Sequence, residues 1–141
     1  MTTTETVIVP AVGDHPAPRE FGPITRTDFV KYQGASGDFH PLHHDETYAH
    51  ASGFPSVFSV GMFQAGLLAT YATDWLGADA LRRFTMRFQE QCWPDDVLVC
   101  AGAVTDVTPE PDGGHRVTVE LTCTRQTGGV AISATADFLL A

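Results

Sequence analysis

The sequence predicts an α+β domain in which an antiparallel β-sheet wraps around one long central helix. Three observations carry that prediction. The longest apolar run, Val60–Leu76 (VGMFQAGLLATYATDWL), has Asp74 as its only charge. After Gly77 the texture changes to LRRFTMRFQE, DDVLVCAGAVTDV, HRVTVELTCTR and VAISATADFLL, segments that alternate or are rich in β-branched residues. Turn signals, PDGG and TGG, punctuate them. A chain of 141 residues with no repeat or low-complexity segment reads as a single domain, 1–141, long enough to bury a core.

The elements follow in order. Residues 1–23 hold four of the nine prolines and no clear period, which predicts an extended N-terminal arm. Thr27 is placed to cap a short helix, with Asp28 in its first turn and Phe29, Val30 and Tyr32 supplying apolar surface. Gly37 ends it, and residues 37–43 are loop, because Pro41 pushes His40 out of the helical region. Asp45 begins a second short helix, DETYAHA, which Gly53 and Pro55 terminate. The apolar residues of Val60–Leu76 go nearly all the way round, which predicts a buried rather than an amphipathic helix. Its small residues, Gly61, Ala65, Gly66, Ala69 and Ala72, would let it lie close against a sheet.

Composition narrows the partners. With eight Lys and Arg and a formal charge of -9, nucleic acid and anionic membrane are poor partners. Cys92, Cys100 and Cys123 are an odd number without CxxC spacing, as expected of reduced thiols. The start lacks a basic n-region, and VIVPAV is too short for a signal core or a membrane span, so the expectation is a cytoplasmic protein.

The stretch Ser36–His44, SGDFHPLHH, concentrates titrating groups that a solvent loop does not need. Positions five apart sit about 140° apart around a helix and on opposite faces of a strand. Asp38 and His43 therefore meet only on a bent loop, which Gly37 and Pro41 can supply. A carboxylate and an imidazole so placed can hold one water, remove its proton and deliver a proton elsewhere. His40, His43, His44 and Asp45 are all metal-ligand types, but no HxxxH or cysteine pair elsewhere completes a zinc set, so a site without metal is expected. Gly61 opens the central helix, where unpaired amides and the positive end of the dipole converge. Backbone donors there could stabilise an enolate oxygen; close helix packing is the alternative role for the glycine. The cysteines read as strand core. No GxGxxG, P-loop or GxSxG signal is present, which removes the usual marks of nicotinamide, nucleotide and serine-hydrolase chemistry.

At these residues the chain resembles the MaoC-like dehydratases, the hot-dog-fold family that includes R-specific enoyl-CoA hydratases. The family's motif, approximately Y-x-x-x-S-G-D-x-N-P-[LIV]-H, is followed from Tyr32 through Ser36, Gly37, Asp38, His40, Pro41 and Leu42 to His43. The similarity continues through GMFQAGLLATYATDWLG into RFTMRFQEQCWPDD, where the family often has a P-G-D-like turn. Two positions depart from it: His40 stands where the motif has Asn, and Val60 where a His usually precedes the Gly-Met of the helix start. The run VFSVGM…YATDWLG also looks like the small catalytic subunits of heteromeric relatives, the mycobacterial acyl dehydratases and steroid-CoA hydratases.

The resemblance implies a single MaoC-like hot-dog domain. It implies that Asp38 and His43 are the catalytic water-holding pair and that the Gly61 amide polarises a thioester carbonyl, with Val60, Met62 and His40 beside the substrate. The reaction expected is reversible hydration of a trans-2-enoyl thioester to the (3R)-3-hydroxyacyl thioester, in fatty-acid, polyketide or steroid metabolism, with no cofactor and no metal. The substrate is a coenzyme A or acyl-carrier thioester, and the chain's own acidity favours coenzyme A over an acidic carrier. A homodimer, or a heterodimer with a related hot-dog subunit, is expected. Two alternatives stay open: a subunit that only completes a partner's pocket, and a hot-dog thioesterase, whose carboxylate would sit on the central helix, where only Asp74 is available.

Overall fold

The structure, a computed structural model, describes residues 8–141. Of the N-terminal arm, residues 1–7 lie outside the described part. The arm then runs extended into β1 (Arg19–Phe21), followed by α1 (Arg26–Ser36), a 3-10 turn at Pro41–His43, α2 (Glu46–Ala51) and the central helix α3 (Gly61–Leu76). Four longer strands complete the chain: β2 (Leu81–Phe88), β3 (Leu98–Pro109), β4 (His115–Arg125) and β5 (Val130–Leu140). They form one five-stranded antiparallel sheet in the order β1-β3-β4-β5-β2. The α+β fold expected from the sequence is the one observed.

Period-two alternation places the core. In β4, Val117, Val119, Leu121 and Cys123 point inward and are almost wholly buried; in β5, Ile132, Ala134, Ala136 and Phe138 do the same. Ala65, Leu68, Tyr71 and Ala72 of α3 lie against this face. Each Leu or Phe so buried contributes about 1.5–3 kcal/mol. Among the described residues no helix is long and apolar enough to cross a membrane.

Three expectations need correction. α1 is capped by Thr25, not Thr27: Thr25 Oγ1 accepts from the Asp28 amide, while the Asp28 carboxylate accepts from the Thr25 amide at 2.8 Å, a reciprocal capping box. Gly37 does end α1, with φ at 78°. The central helix is not buried all round. Met62, Gly66, Thr70 and Asp74, four residues apart, form an exposed stripe, because one sheet covers only one side of a cylinder. Gly66 accordingly has open space around it and does not serve sheet packing. Finally, Cys92 is buried on the β2–β3 connection rather than in a strand.

The two sheet edges differ. β3 is covered by β1 and, further along, by the arm: the Gly13 amide donates to the Val104 carbonyl and the Val104 amide to Asp14, both at 2.9 Å. β2 pairs with β5 on one side, and its other side has no strand among the described residues.

Candidate active site

The loop after α1 is shaped by Gln33, a neutral side chain that the spacing argument did not single out. It is 2% exposed. Its Nε2 donates to the Asp38 carbonyl at 2.8 Å and to the His40 carbonyl at 3.2 Å, and its Oε1 accepts from His44 Nδ1 at 3.1 Å. One carboxamide thus binds three points of the segment 38–44. Asp38 Oδ1 accepts from the His40 amide, His40 Nδ1 accepts from the Leu42 amide, and Pro41–His43 closes as a 3-10 turn. His40 therefore caps this turn from an exposed position. Asp45 caps α2 through the Tyr48 amide.

His43 turns inward from this loop. Its Nδ1 lies 2.7 Å from the Phe58 carbonyl oxygen, and a carbonyl only accepts, so Nδ1 carries the hydrogen and Nε2 is the free nitrogen. The Phe58 ring stands edge-on to the imidazole at 5.2 Å, and the Phe58 amide donates back to the Leu42 carbonyl. These ties dock the loop onto the segment that leads into α3. A cleft of about 230 Å³ results, lined by His43, Phe58, Ser59, Gly61, Gln64 and Phe88 among others. Larger hollows of about 410 and 480 Å³, across β2, β4 and β5 and beside the end of α3, contain none of these residues.

At the helix start Val60 offers no side-chain cap, and the amides of Gly61 and Met62 meet no acceptor among the described residues. Gly61 also needs its missing side chain: a Cβ there would lie 2.9 Å from Cε1 of Phe88, whose half-exposed ring crosses the helix end. Close packing and an open amide are therefore both present at Gly61.

The structure brings His43 and Gly61 to one cleft. Asp38 sits on the exposed outer part of the same loop, outside the cleft lining, and no hydrogen bond joins it to His43. Val60 and Met62, expected beside the substrate, do not line the cleft. Val60 is buried, at 4% exposed, whereas Met62 lies on the open stripe of α3. The β-turn expected near Pro94 is present, with Asp95 at φ 70°, a left-handed position where the family often has Gly. Asp74, the carboxylate a thioesterase would use on the helix, is exposed and ion-paired to Arg19 at 2.8 Å. The cysteines are buried, and burial first of all pushes the Cys92 thiol up to about 12, which keeps it a thiol rather than a nucleophile.

Comparison with known proteins decides the family. The MaoC-like domain model matches residues 7–127. The chain belongs to the MaoC-like domain family. A curated relative, the β subunit of 3-oxo-4,17-pregnadiene-20-carboxyl-CoA hydratase from Mycobacterium tuberculosis, is 34% identical over 74 residues, 52% of this chain and 57% of that one. The match thus spans little more than half of that relative's length. Among solved structures, the ChsH1–ChsH2 complex from Mycobacterium tuberculosis superposes with a TM-score of 0.82 at 24% identity, covering 94% of this chain and 100% of that one. The (R)-hydratase from A. caviae involved in PHA biosynthesis follows at 0.80 and 21%, covering 93% and 97%. At these identities the two structures speak for the fold, and the fold is the hot dog.

Proposed function

We propose that this MaoC-like protein is an acyl-thioester hydratase acting on a trans-2-enoyl-CoA, or a dehydratase in the reverse direction. The carrying observation is the His43 imidazole, fixed through Nδ1 on the Phe58 carbonyl so that Nε2 serves the cleft where the Gly61 amide is free. In hydration, a water between Asp38 and His43 loses a proton to one of them and its oxygen bonds to Cβ. The Cα=Cβ electrons move onto the thioester, and its oxygen is held as an enolate by the Gly61 N–H. The other group delivers a proton to Cα, completing the addition of H and OH. Asp38 shares the loop with His43 but lies outside the cleft lining and makes no hydrogen bond to it, so in this reading the water has to bridge the two.

A hot-dog partner, either a second copy or a related subunit, completes the assembly in this reading. Support comes from the uncovered side of β2 and the half-exposed Phe88 at the cleft. The curated relative is named as a β subunit and the superposed structure is a two-component complex, which agree with it.

The test is loss of enoyl absorbance on adding the purified chain, alone and with candidate partner subunits, to crotonyl-CoA, to a long-chain enoyl-CoA and to 3-oxo-4,17-pregnadiene-20-carboxyl-CoA. Asp38→Asn and His43→Gln are each expected to lower kcat by about 10²–10⁴, the range for a positioned acid or base, with the fold retained by circular dichroism. Wild-type rates in both variants would refute the assignment of the pair. Activity lost on dialysis together with a stoichiometric metal would refute the metal-free site.

A further inference from the structure

Gln64 is a buried side chain that neither the motif nor the mechanism above uses. It is 2% exposed, yet it lines the cleft. Ser59, equally buried, donates its hydroxyl to Gln64 Oε1 at 2.7 Å. That bond orients the carboxamide, and Nε2, which makes no hydrogen bond among the described residues, is left facing the open cleft rather than sealed in the interior. A donor oriented from one side and open to the cleft on the other can meet a water or a ligand oxygen there.

Its position supplies the purpose. Helical side chains lean back toward the N-terminus, and Gln64 follows Gly61 by three residues, on the same face. The bond to Ser59, five residues earlier and ahead of the first turn, brings the carboxamide level with the start of α3. Gly61, whose amide has no acceptor among the described residues, lines the same cleft. Two donors, one from the backbone and one from a side chain, are therefore available in one cleft at the start of the helix.

We propose that the Gln64 Nε2–H group is a second hydrogen-bond donor to the thioester carbonyl oxygen, held in place by Ser59 and acting beside the Gly61 amide. This inference rests on the reading of the cleft as an acyl-thioester site, and it adds a side-chain donor to the backbone one. The substrate must then carry an oxygen at that point; a thioether analogue without the carbonyl leaves the Gln64 donor unused.

Three variants and two readouts test it. Gln64→Met keeps length and apolar volume but removes the donor; Gln64→Glu keeps the acceptor for Ser59 and removes the N–H; Ser59→Ala frees the carboxamide. The spectroscopic readout is the absorbance of bound 2,4-hexadienoyl-CoA, which moves to longer wavelength as its carbonyl is polarised. The wild-type protein, with its partner subunit where one copurifies, should show the red shift, and both Gln64 variants should lose most of it. kcat for enoyl-CoA hydration should fall by about 10²–10³ in the Gln64 variants, the range for one donor of this kind, and by less in Ser59→Ala. Binding of an S-alkyl-CoA thioether should be unchanged in every variant, which a merely structural defect would not allow. A Gln64→Met variant too unstable to purify passes the question to Gln64→Glu. A wild-type red shift and kcat in the Gln64 variants, a thioether bound as poorly as the thioester, or no red shift in the wild type would each overturn the inference. A red shift that depends on Gln64 in a protein that hydrates no enoyl-CoA would instead sink the hydratase reading and leave the donor in place.

Discussion

Gln33 holds the segment 38–44 with both hydrogens of one carboxamide and one lone pair of its oxygen. Gln33→Glu is nearly isosteric, but it turns two donors into an acceptor facing the carbonyls of Asp38 and His40. It should therefore disturb the loop more than Gln33→Leu, whose cost is two carbonyls left without a donor, about 1–3 kcal/mol each where they are buried. Amide hydrogen exchange across residues 38–45 reads the difference; equal protection in Gln33→Glu and wild type would refute the staple. Asp95 makes a contrasting residue-scale case. Its φ of 70° is costly for a residue with a Cβ and free for glycine. Asp95→Gly should raise stability by about 0.5–1 kcal/mol after the added freedom of the unfolded chain is subtracted, measured by urea unfolding. The candidate loop was legible in the sequence because a carboxylate, imidazoles and a proline crowd one short stretch, although of the proposed pair only His43 lines the cleft. Gln33 and Gln64 were not, because a neutral amide has no distinctive spacing and gains its role only from what the fold places around it.

Among the elements, β4 and β5 occupy the very segments their alternation marks, since a period near two admits one face and glycine turns bound both ends of β4 and the start of β5. The central helix was legible as a helix but not in its exposure. Small residues count as apolar on any scale, and only the sheet's extent decides which of them meet a neighbour. The start of α1 shifted by two residues because Thr25 and Thr27 both precede acidic or polar residues, and only Thr25 lies three residues before Asp28. The connection between β2 and β3 is held by Asp96, which is nearly buried and accepts from the Trp93 amide, from Arg125 at 2.7 Å and from Gln126 at 2.7 Å. The same connection backs the cleft: the Cys92 carbonyl accepts from the Ser59 amide, and Trp93 stands edge-on to Phe58 at 5.6 Å. Burial alone would raise the Asp96 carboxyl, but the hydrogen bonds from Arg125, the Trp93 backbone and Gln126 outweigh it, and its pKa falls below the ordinary 3.8. A carboxylate held low in the folded state stabilises fully above the unfolded value. That contribution drains away as pH falls from about 4 through the lower folded value. Asp96→Asn should therefore flatten the loss of stability in that acid window, and Arg125→Ala should cost about 3–5 kcal/mol near neutrality, because it leaves the Asp96 charge buried and unpaired. Melting temperatures between pH 2.5 and 7 check both; an unchanged acid slope in Asp96→Asn would count against the linkage.

At the scale of the whole molecule, the proposed pairing with a hot-dog partner predicts twice the chain's mass in light scattering at micromolar concentration, or a one-to-one complex when a related subunit is supplied. A monomer under both conditions would refute it. The unequal edges of the sheet set a further condition on any such pairing. With β3 faced by the three-residue β1 and by the arm, β2 is the long strand with an unpaired side among the described residues, so two chains joined there would present only the short β1 at each outer end. Growth would then stop at two, because the three residues of β1 give a third chain too short a ladder to extend. Cutting away residues 1–14 would remove the Gly13 and Asp14 bonds to Val104 and bare a second rung. A self-limiting pair would then become a building block for open-ended fibres, detectable as turbidity or as a cross-β dye signal that the full chain lacks.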